Sequence, residues 1–203
     1  MVQVLKPAVR GRIEDAALRC FAERGYAGTS MAGIAAAAGT APGNVYRYFP
    51  SKEALFDAVV PRQLADRHDE LLDARVTALA RRTGEDAAAA ELLDFWLDHR
   101  LAVVVLLDRA DGTPLAGHPA AFVRRLVDHV ERALGGPPPP VHREVLELVF
   151  DNTRRAIARM LLTGRDRAHT RALVTAFWSY QVPGLDGLMA AMTAERAAAG
   201  PQA

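Results

Sequence analysis

Residues 29–52 read TSMAGIAAAAGTAPGNVYRYFPSK, and the rest of the chain is organised around this stretch. The pattern predicts two short helices joined by a turn, with Gly39 in the left-handed backbone conformation that glycine adopts at low cost. Ala35 is small enough for the second helix to cross the first closely. Apolar positions that lock the pair together are Ile34, Ala38, Val45 and Tyr48. The stretch therefore predicts a helix-turn-helix.

Helix signals flank this motif on both sides. Residues 8–24 repeat apolar side chains at helical spacing, and Cys20 falls on their apolar face. We expect Thr29 to cap the next helix, Pro42 to open the second helix of the motif, and Ser51 to cap a fourth. Pro61 should interrupt that fourth helix, because proline lacks an amide hydrogen and clashes with the preceding turn.

The remainder of the chain also reads as helical, and no segment requires a strand. Helices are expected over residues 86–109, 120–134, 141–162, 167–180 and 184–196. The first of these is apolar on nearly all sides, which is typical of a central helix. Pro183 and Gly184 should separate the last two, and GGPPPP at 135–140 resembles a linker. The sequence therefore predicts an all-α protein.

Composition sets limits on the environment and on the partners. A single cysteine cannot form an internal disulfide, the beginning of the chain has no apolar signal segment, and the longest apolar run, residues 101–107, is too short to span a bilayer. We therefore expect a cytoplasmic protein without a membrane partner. The net charge of +1 gives no global indication of nucleic-acid binding.

The order of motifs over residues 10–60 resembles the TetR family of transcriptional repressors. Its segment RGRIEDAALRCFAERGYAGTSMAGIAAAAGTAPGNVYRYFPSKEALF follows that family in its first helix, Gly-Tyr, Thr-Ser, Ile-Ala, Ala-Gly, Gly-x-x-Tyr, Phe and Ser-Lys-Glu-x-Leu. Beyond residue 60 only the all-helical layout matches. The resemblance implies a DNA-binding domain at 1–50, a connecting helix from 51 that is broken near 61, and a ligand-binding and dimerisation domain over 51–203. It also implies a homodimer on a palindromic double-stranded DNA operator.

The resemblance assigns most of the DNA-binding residues. Thr29 and Ser30 match phosphate-contacting positions, residues 41–48 match the recognition helix, and Lys52 matches a lysine that reaches the DNA backbone. The full set of predicted DNA-binding residues is Thr29, Ser30, Ala41, Pro42, Gly43, Asn44, Tyr46, Arg47, Tyr48 and Lys52. For Tyr48 the alternative is a core aromatic. Ala41 stands where a capping serine is common, and Ala41 and Gly43 leave few donors for base reading, so DNA shape or thymine methyl groups could contribute to specificity.

A sensor domain should contain an apolar pocket with a few polar groups. Candidate pocket residues, for an effector that the sequence does not identify, are Trp96, His99, Arg100, Phe122, Asn152 and Thr153. The alternative is that Trp96 fills the core and that His99 and Arg100 pair with nearby aspartates. Candidate dimer-interface residues on the last two helices are Phe177, Trp178, Leu185, Leu188 and Met189.

The sequence offers little support for catalysis or for a bound metal. Asp94 and Asp98 lie one helical turn apart beside His99, but adjacent residues point about 100° apart, so the three cannot easily converge on an ion. The other histidines have no ligand spacing, and no nucleophile motif, P-loop or dinucleotide fingerprint occurs. We predict no catalytic residue, no metal and no cofactor.

The favoured function is a repressor that a small molecule releases from its operator. Two alternatives stay open within the same family, an activator and a DNA binder without an effector. A third, from another class, is a helical enzyme or small-molecule carrier that retains a head like a helix-turn-helix.

Overall fold

The computed structural model describes residues 6–83 and 85–199, which form ten helices and no strand and confirm the all-α prediction. The outer ends of the two predicted domains, residues 1–5 and 200–203, lie outside the described residues. The helices are α1 Pro7–Arg24, α2 Met31–Ala37, α3 Pro42–Tyr48, α4 Lys52–Val59, α5 Arg62–Arg81, α6 Glu85–Asp98, α7 Arg100–Asp108, α8 His118–Leu134, α9 Pro140–Thr163 and α10 Arg167–Ala199.

Helices α1 to α4 form a small unit that we call the head. Helix α1 packs against α2 and α4, and α2 packs against α3. At its centre the rings of Phe21 and Phe56 lie edge to face, 5.5 Å apart, and Tyr26 lies 5.4 Å from Phe56. Such aromatic pairs add stabilisation beyond the area they bury. Cys20 is buried in this core, as predicted.

Helices α5 to α10 form the larger domain. Helix α7 packs against α6, α8 and α9, and its residues 102–107 are all buried. Helix α10 packs against α6, α8 and α9, while α5 packs against α6 and α8. Helix α7 also packs against α1, so the two parts of the molecule share an interface. Among the described residues, no helix is both long and apolar enough to cross a membrane.

The prediction of one helix over residues 86–109 is wrong, since it divides at His99. The His99 backbone has φ −110° and ψ 30°, although its amide still donates to the Phe95 carbonyl at 3.0 Å. The first half packs against α5 and α10, the second against α9, α8 and α1. A change of direction lets each half face its own neighbours, which local sequence preference does not reveal.

The prediction that residues 183–184 separate two helices is also wrong. Helix α10 continues from Arg167 to Ala199 with Pro183 inside it. Proline removes one backbone hydrogen bond, but Pro183 is exposed. Trp178 before it, and Leu185 and Met189 after it, all pack against the same core, which holds the helix together across the proline.

Candidate DNA-binding head and effector cavity

The helix-turn-helix is closed by backbone hydrogen bonds around Gly39. This residue has φ +64°, its amide donates to the Ala36 carbonyl at 3.1 Å, and the amide of Thr40 donates to Ala35 at 2.9 Å. Ile34, Ala35 and Val45 have no exposed surface. The motif is therefore a compact unit with α3 fixed against α2.

Helix α3 presents an exposed face. Ala41, Pro42, Gly43 and Arg47 are exposed, and Tyr46 is 52% exposed. Helix α3 starts at Pro42 without a side-chain cap on Ala41, as expected. A phenol and a guanidinium on one short helix are groups that can contact phosphates and base edges.

Asn44 is less available than the sequence suggests. Its side-chain amide donates to the Thr40 hydroxyl at 2.7 Å, and the residue is half-buried. Tyr48 is half-buried too, and its hydroxyl accepts a hydrogen bond from the Lys6 amide at 3.1 Å. Both side chains therefore stabilise the head in the DNA-free state, and base reading by Asn44 stays a prediction.

The prediction that Thr29 caps α2 is wrong, because Ser30 is the cap. The exposed Ser30 hydroxyl accepts a hydrogen bond from the Gly33 amide at 3.1 Å. Thr29 is only 4% exposed, and its hydroxyl lies 2.8 Å from the Gly25 carbonyl oxygen. Thr29 therefore ties the loop before α2 to the end of α1, which leaves Ser30 as the outward-facing member of the pair.

Lys52 also points into the head. Its ammonium donates to the carbonyl oxygens of Tyr26 at 2.8 Å and Thr29 at 2.9 Å, and it lies 4.0 Å from the centroid of the Tyr26 ring. Carbonyl dipoles and an aromatic face both attract a cation. Lys52 thus closes the loop between α1 and α2, and a phosphate contact by it stays a prediction.

The larger domain contains a cavity of about 500 Å³ between α5, α6, α8, α9 and α10. Three of the six predicted pocket residues line it, namely Trp96, Phe122 and Thr153. Other apolar lining residues include Leu72, Val76, Leu126, Phe150, Ile157, Trp178, Leu185 and Met189. The wall is thus mainly apolar, as is usual for a site that holds a small organic molecule.

The other three predicted pocket residues lie elsewhere. His99 is exposed at the break between α6 and α7, and Asn152 is exposed on α9. Arg100 donates to the Leu162 carbonyl at 3.4 Å instead of reaching the cavity. Their positions depend on the turn at His99 and on the rotation of α9, neither of which the sequence specifies locally.

Sequence reasoning missed several polar lining residues, among them Arg75, His129 and Gln181. Gln181 donates to the Thr153 hydroxyl across the cavity wall. The guanidinium carbon of Arg75 lies 5.5 Å from the centroid of the Trp178 ring. A signal was present for Gln181, because it interrupts an inward-facing series at helical spacing on α10, with Trp178 before it and Leu185 after it.

Asp94 and Asp98 do not form the metal site considered above. Arg167 donates to Asp98 at 2.5 Å and to Asp94 at 2.9 Å. Arg171 also donates to Asp94. The hydrogen bond from Arg171 is the largest cause that lowers the pKa of Asp94 below its ordinary value. These ion pairs join the end of α6 to the start of α10 and satisfy both carboxylates.

A second polar cluster joins α5 to α8. Asp69 accepts hydrogen bonds at 3.3 Å from His68 Nδ1 and 3.1 Å from His118 Nε2, and Arg125 donates to it at 2.9 Å. Burial lowers the pKa of His68. Burial alone would raise the pKa of Asp69, but His118, His68 and Arg125 together hold it well below its usual range. Asp69 is thus an ionised carboxylate in a partly buried position.

Comparison with known proteins identifies the head. Residues 13–59 match the family described as bacterial regulatory proteins, tetR family. The chain carries a TetR-family DNA-binding domain. Regulators of transcription align with this chain, and two of them serve as examples. One is the HTH-type transcriptional repressor KstR2 of Mycobacterium tuberculosis, 32% identical over 105 residues, which are 50% of each chain. The other is the uncharacterized HTH-type transcriptional regulator YhgD of Bacillus subtilis, 25% identical over 122 residues.

These TetR-family alignments cover part of each protein. The YhgD match spans 60% of this chain and 61% of YhgD, so the chain spans between half and about three fifths of these two relatives. Among solved structures, a tetR-family transcriptional regulator from Streptomyces coelicolor aligns with 98% of this chain and 92% of its own, at 23% identity and a TM-score of 0.42. The relatives named here are all described as regulators of transcription.

Proposed function

We propose that this protein is a ligand-responsive transcriptional regulator, most simply a repressor that a small molecule releases from a palindromic operator. The observation that carries the proposal is a closed helix-turn-helix head joined to a larger domain with a mainly apolar cavity. The match of residues 13–59 to the TetR family supports DNA as the partner, and the name of KstR2 supports repression.

In the proposed DNA complex, α3 lies in the major groove. Tyr46 and Arg47 are its exposed polar side chains, and Ser30 stands at the exposed start of α2. Because the face has few donors, phosphate contacts would supply much of the affinity, and binding should weaken steeply with salt. Gly43 leaves open space where another residue would have a side chain, which permits close approach to the duplex.

We further propose that the regulator is a homodimer, because two heads must reach successive major grooves about 34–36 Å apart. Trp178, Leu185, Leu188 and Met189, predicted at the interface, are partly buried against the core of their own chain. The exposed apolar residues of α9 and α10 are better candidates. They are Val141, Val145, Leu148 and the 80% exposed Tyr180. Half-buried Phe177 could border this face.

The proposed release mechanism runs through α4 and α5. Helix α4 belongs to the head, and α5 begins directly after Val60 and Pro61. Leu72, Arg75 and Val76 of α5 line the cavity, so a ligand there touches the helix that follows the head. A ligand with higher affinity for one arrangement of α5 would shift the dimer toward heads that are wrongly spaced for the operator.

Binding of the full chain to DNA tests this proposal. Fluorescence anisotropy with the DNA upstream of its own gene should show saturable binding. The logarithm of the binding constant should fall linearly with the logarithm of the salt concentration. Tyr46→Ala should weaken binding by about 1–3 kcal/mol, and Arg47→Ala should reduce the salt slope by about 1. The matched control is Arg19→Ala, which removes an exposed charge from α1.

The outcomes separate the alternatives. If Tyr46→Ala, Arg47→Ala and Arg19→Ala all reduced DNA affinity equally, α3 would not be the DNA-reading helix. Binding that candidate ligands do not alter would favour an effector-independent DNA binder. Transcription in vitro that rises with bound protein would indicate an activator. Absence of DNA binding by a folded dimer would leave the carrier or enzyme hypothesis.

A further inference from the structure

Two histidines and an aspartate, contributed by two helices, converge inside the larger domain. His68 and Asp69 lie on α5, and His118 is the first residue of α8. One potential ligand atom from each lies within 4.8 Å of the other two. We call these three residues the His68 cluster. Nothing in the proposed function uses it.

The distances from Asp69 to the two imidazole nitrogens are close to those between the ligand atoms of a bound metal ion. Oδ1 of Asp69 lies 3.3 Å from His68 Nδ1 and 3.1 Å from His118 Nε2. A tetrahedral ion with bonds of about 2.0–2.1 Å to nitrogen and oxygen places neighbouring ligand atoms about 3.3 Å apart. Both distances to Asp69 therefore already match. The ligand atoms of the two imidazoles lie within 4.8 Å of each other, and around an ion they would be about 3.3 Å apart.

Apart from their contacts with Asp69, the two imidazoles pack against other rings: the His68 ring is stacked 6.3 Å from Trp96 and lies edge to face with His118 at 5.2 Å. His68 is fully buried and His118 is 8% exposed. His68 Nε2 and His118 Nδ1 are buried and have no hydrogen-bond partner within residues 6–83 and 85–199. Asp69 is thus the one hydrogen-bond partner shown for either ring, and a buried polar atom left unsatisfied carries a free-energy cost. An ion held by His68 Nδ1 and His118 Nε2 would use the ring nitrogens that now face Asp69 and would leave the other two nitrogens unpaired. Its stabilising effect would therefore come from the ligand bonds themselves, which contribute directly to folding.

The surroundings orient the carboxylate and favour a cation. Arg125 donates to Asp69 Oδ2 at 2.9 Å, so the other oxygen, Oδ1, faces the imidazoles. Outer partners of this kind fix metal-binding carboxylates. Arg125 also donates to Asp73 at 2.5 Å. With neutral imidazoles, two carboxylates and one guanidinium leave a formal charge of −1 before an ion binds.

We propose that His68, Asp69 and His118 bind one late first-row divalent cation, of the class of Zn²⁺, between α5 and α8. Two imidazoles and a carboxylate are ligands that suit this class. Three protein ligands leave the fourth position to water or to a donor atom of a small molecule. The ion fastens the start of α8 to α5. The hydrogen bonds of Asp73 with Arg125 and with His129 Nε2, the latter at 3.2 Å, extend this connection along the two helices. His129 in turn lines the cavity.

Metal titration of the tag-free, chelator-treated full chain tests the proposal. Zn²⁺ should bind with a stoichiometry of one per chain in a competition titration with a chromophoric chelator, and Co²⁺ should give the visible absorption of a four-coordinate site. Zn²⁺ should also raise the melting temperature, because an ion that binds the folded state stabilises it. His118→Ala and His68→Ala should each weaken binding roughly tenfold or more.

Controls keep the experiment decisive if a histidine variant does not fold. Asp69→Asn keeps the shape of the side chain and removes its charge, and it too should weaken binding roughly tenfold or more. His99→Ala removes an exposed histidine outside the cluster and should bind as the parent does. The proposal is overturned if the folded parent binds no stoichiometric Zn²⁺, or if Asp69→Asn and His118→Ala retain the parent affinity while folded.

Discussion

The head and the larger domain differ in how their buried polar side-chain atoms are satisfied. In the head, Phe21, Ile34, Val45 and Phe56 have no exposed surface. In the described residues, every buried side-chain nitrogen without a hydrogen-bond partner belongs to residue 68 or later. These atoms are His68 Nε2, Trp96 Nε1, Arg109 Nε, His118 Nδ1, Arg125 Nε and Arg154 Nε. The described part of the head thus has no such unsatisfied side-chain atom, whereas the larger domain has several and also contains the cavity.

This difference follows from what each region must do. A head that presents α3 to DNA gains from rigidity, because pre-organised contacts need no ordering on binding. A domain that accepts a ligand or an ion needs space and free polar groups in its unliganded state. Imperfect packing therefore marks the part of the molecule where binding can change the conformation.

Phe21→Ala should produce the largest effect. The side chain is fully buried against Phe56 and Tyr26, and its loss should lower the free energy of unfolding by roughly 3–5 kcal/mol. Phe122→Ala is the matched change in the larger domain. Phe122 is equally buried but borders the cavity, so it has fewer contacts to lose and should cost less. Urea denaturation followed by circular dichroism measures both, and an equal or greater loss in Phe122→Ala would remove the proposed contrast in packing.

Lys52→Ala should have a smaller effect, on the head alone. It removes charged hydrogen bonds to the carbonyls of Tyr26 and Thr29, and the half-buried position reduces the expected loss to about 1–2 kcal/mol. Lys52→Met keeps the apolar stem and separates packing from hydrogen bonding. Thermal denaturation is the measurement. An unchanged melting temperature with a DNA salt slope lowered by about 1 would instead establish Lys52 as a phosphate contact.

The head could be predicted from sequence because its determinants are close together in the chain. Gly39, with its turn hydrogen bonds to Ala35 and Ala36, lies within a few residues of its partners. The cap was misplaced by one residue, because Thr29 and Ser30 are both suitable and only the packing against α1 distinguishes them. Local patterns therefore determined the motif but not every role within it.

The larger domain could be predicted only as a set of helices. Its cavity and the His68 cluster depend on contacts such as Asp69 with His118, which are 49 residues apart. The spacing of Asp69 and Asp73 on α5 and of Arg125 and His129 on α8 places each pair on one helix face, but nothing local indicates that the two faces meet. Likewise, Pro183 predicts a helix end that long-range packing overrides.

Gly43→Ala should give the smallest change and the sharpest test of the head. An added methyl group there meets open space, so alanine should stabilise α3 by about 0.5–1 kcal/mol. Gly33→Ala is the control within α2, where the methyl group would lie 3.3 Å from the Ser30 hydroxyl that caps the helix, so the gain should be reduced or lost. If α3 approaches DNA as closely as proposed, Gly43→Ala should raise the melting temperature and weaken operator binding together. A gain in stability with unchanged DNA affinity would mean that Gly43 is not needed for close approach, and the base-reading surface would then have to begin further along α3, at Tyr46 and Arg47.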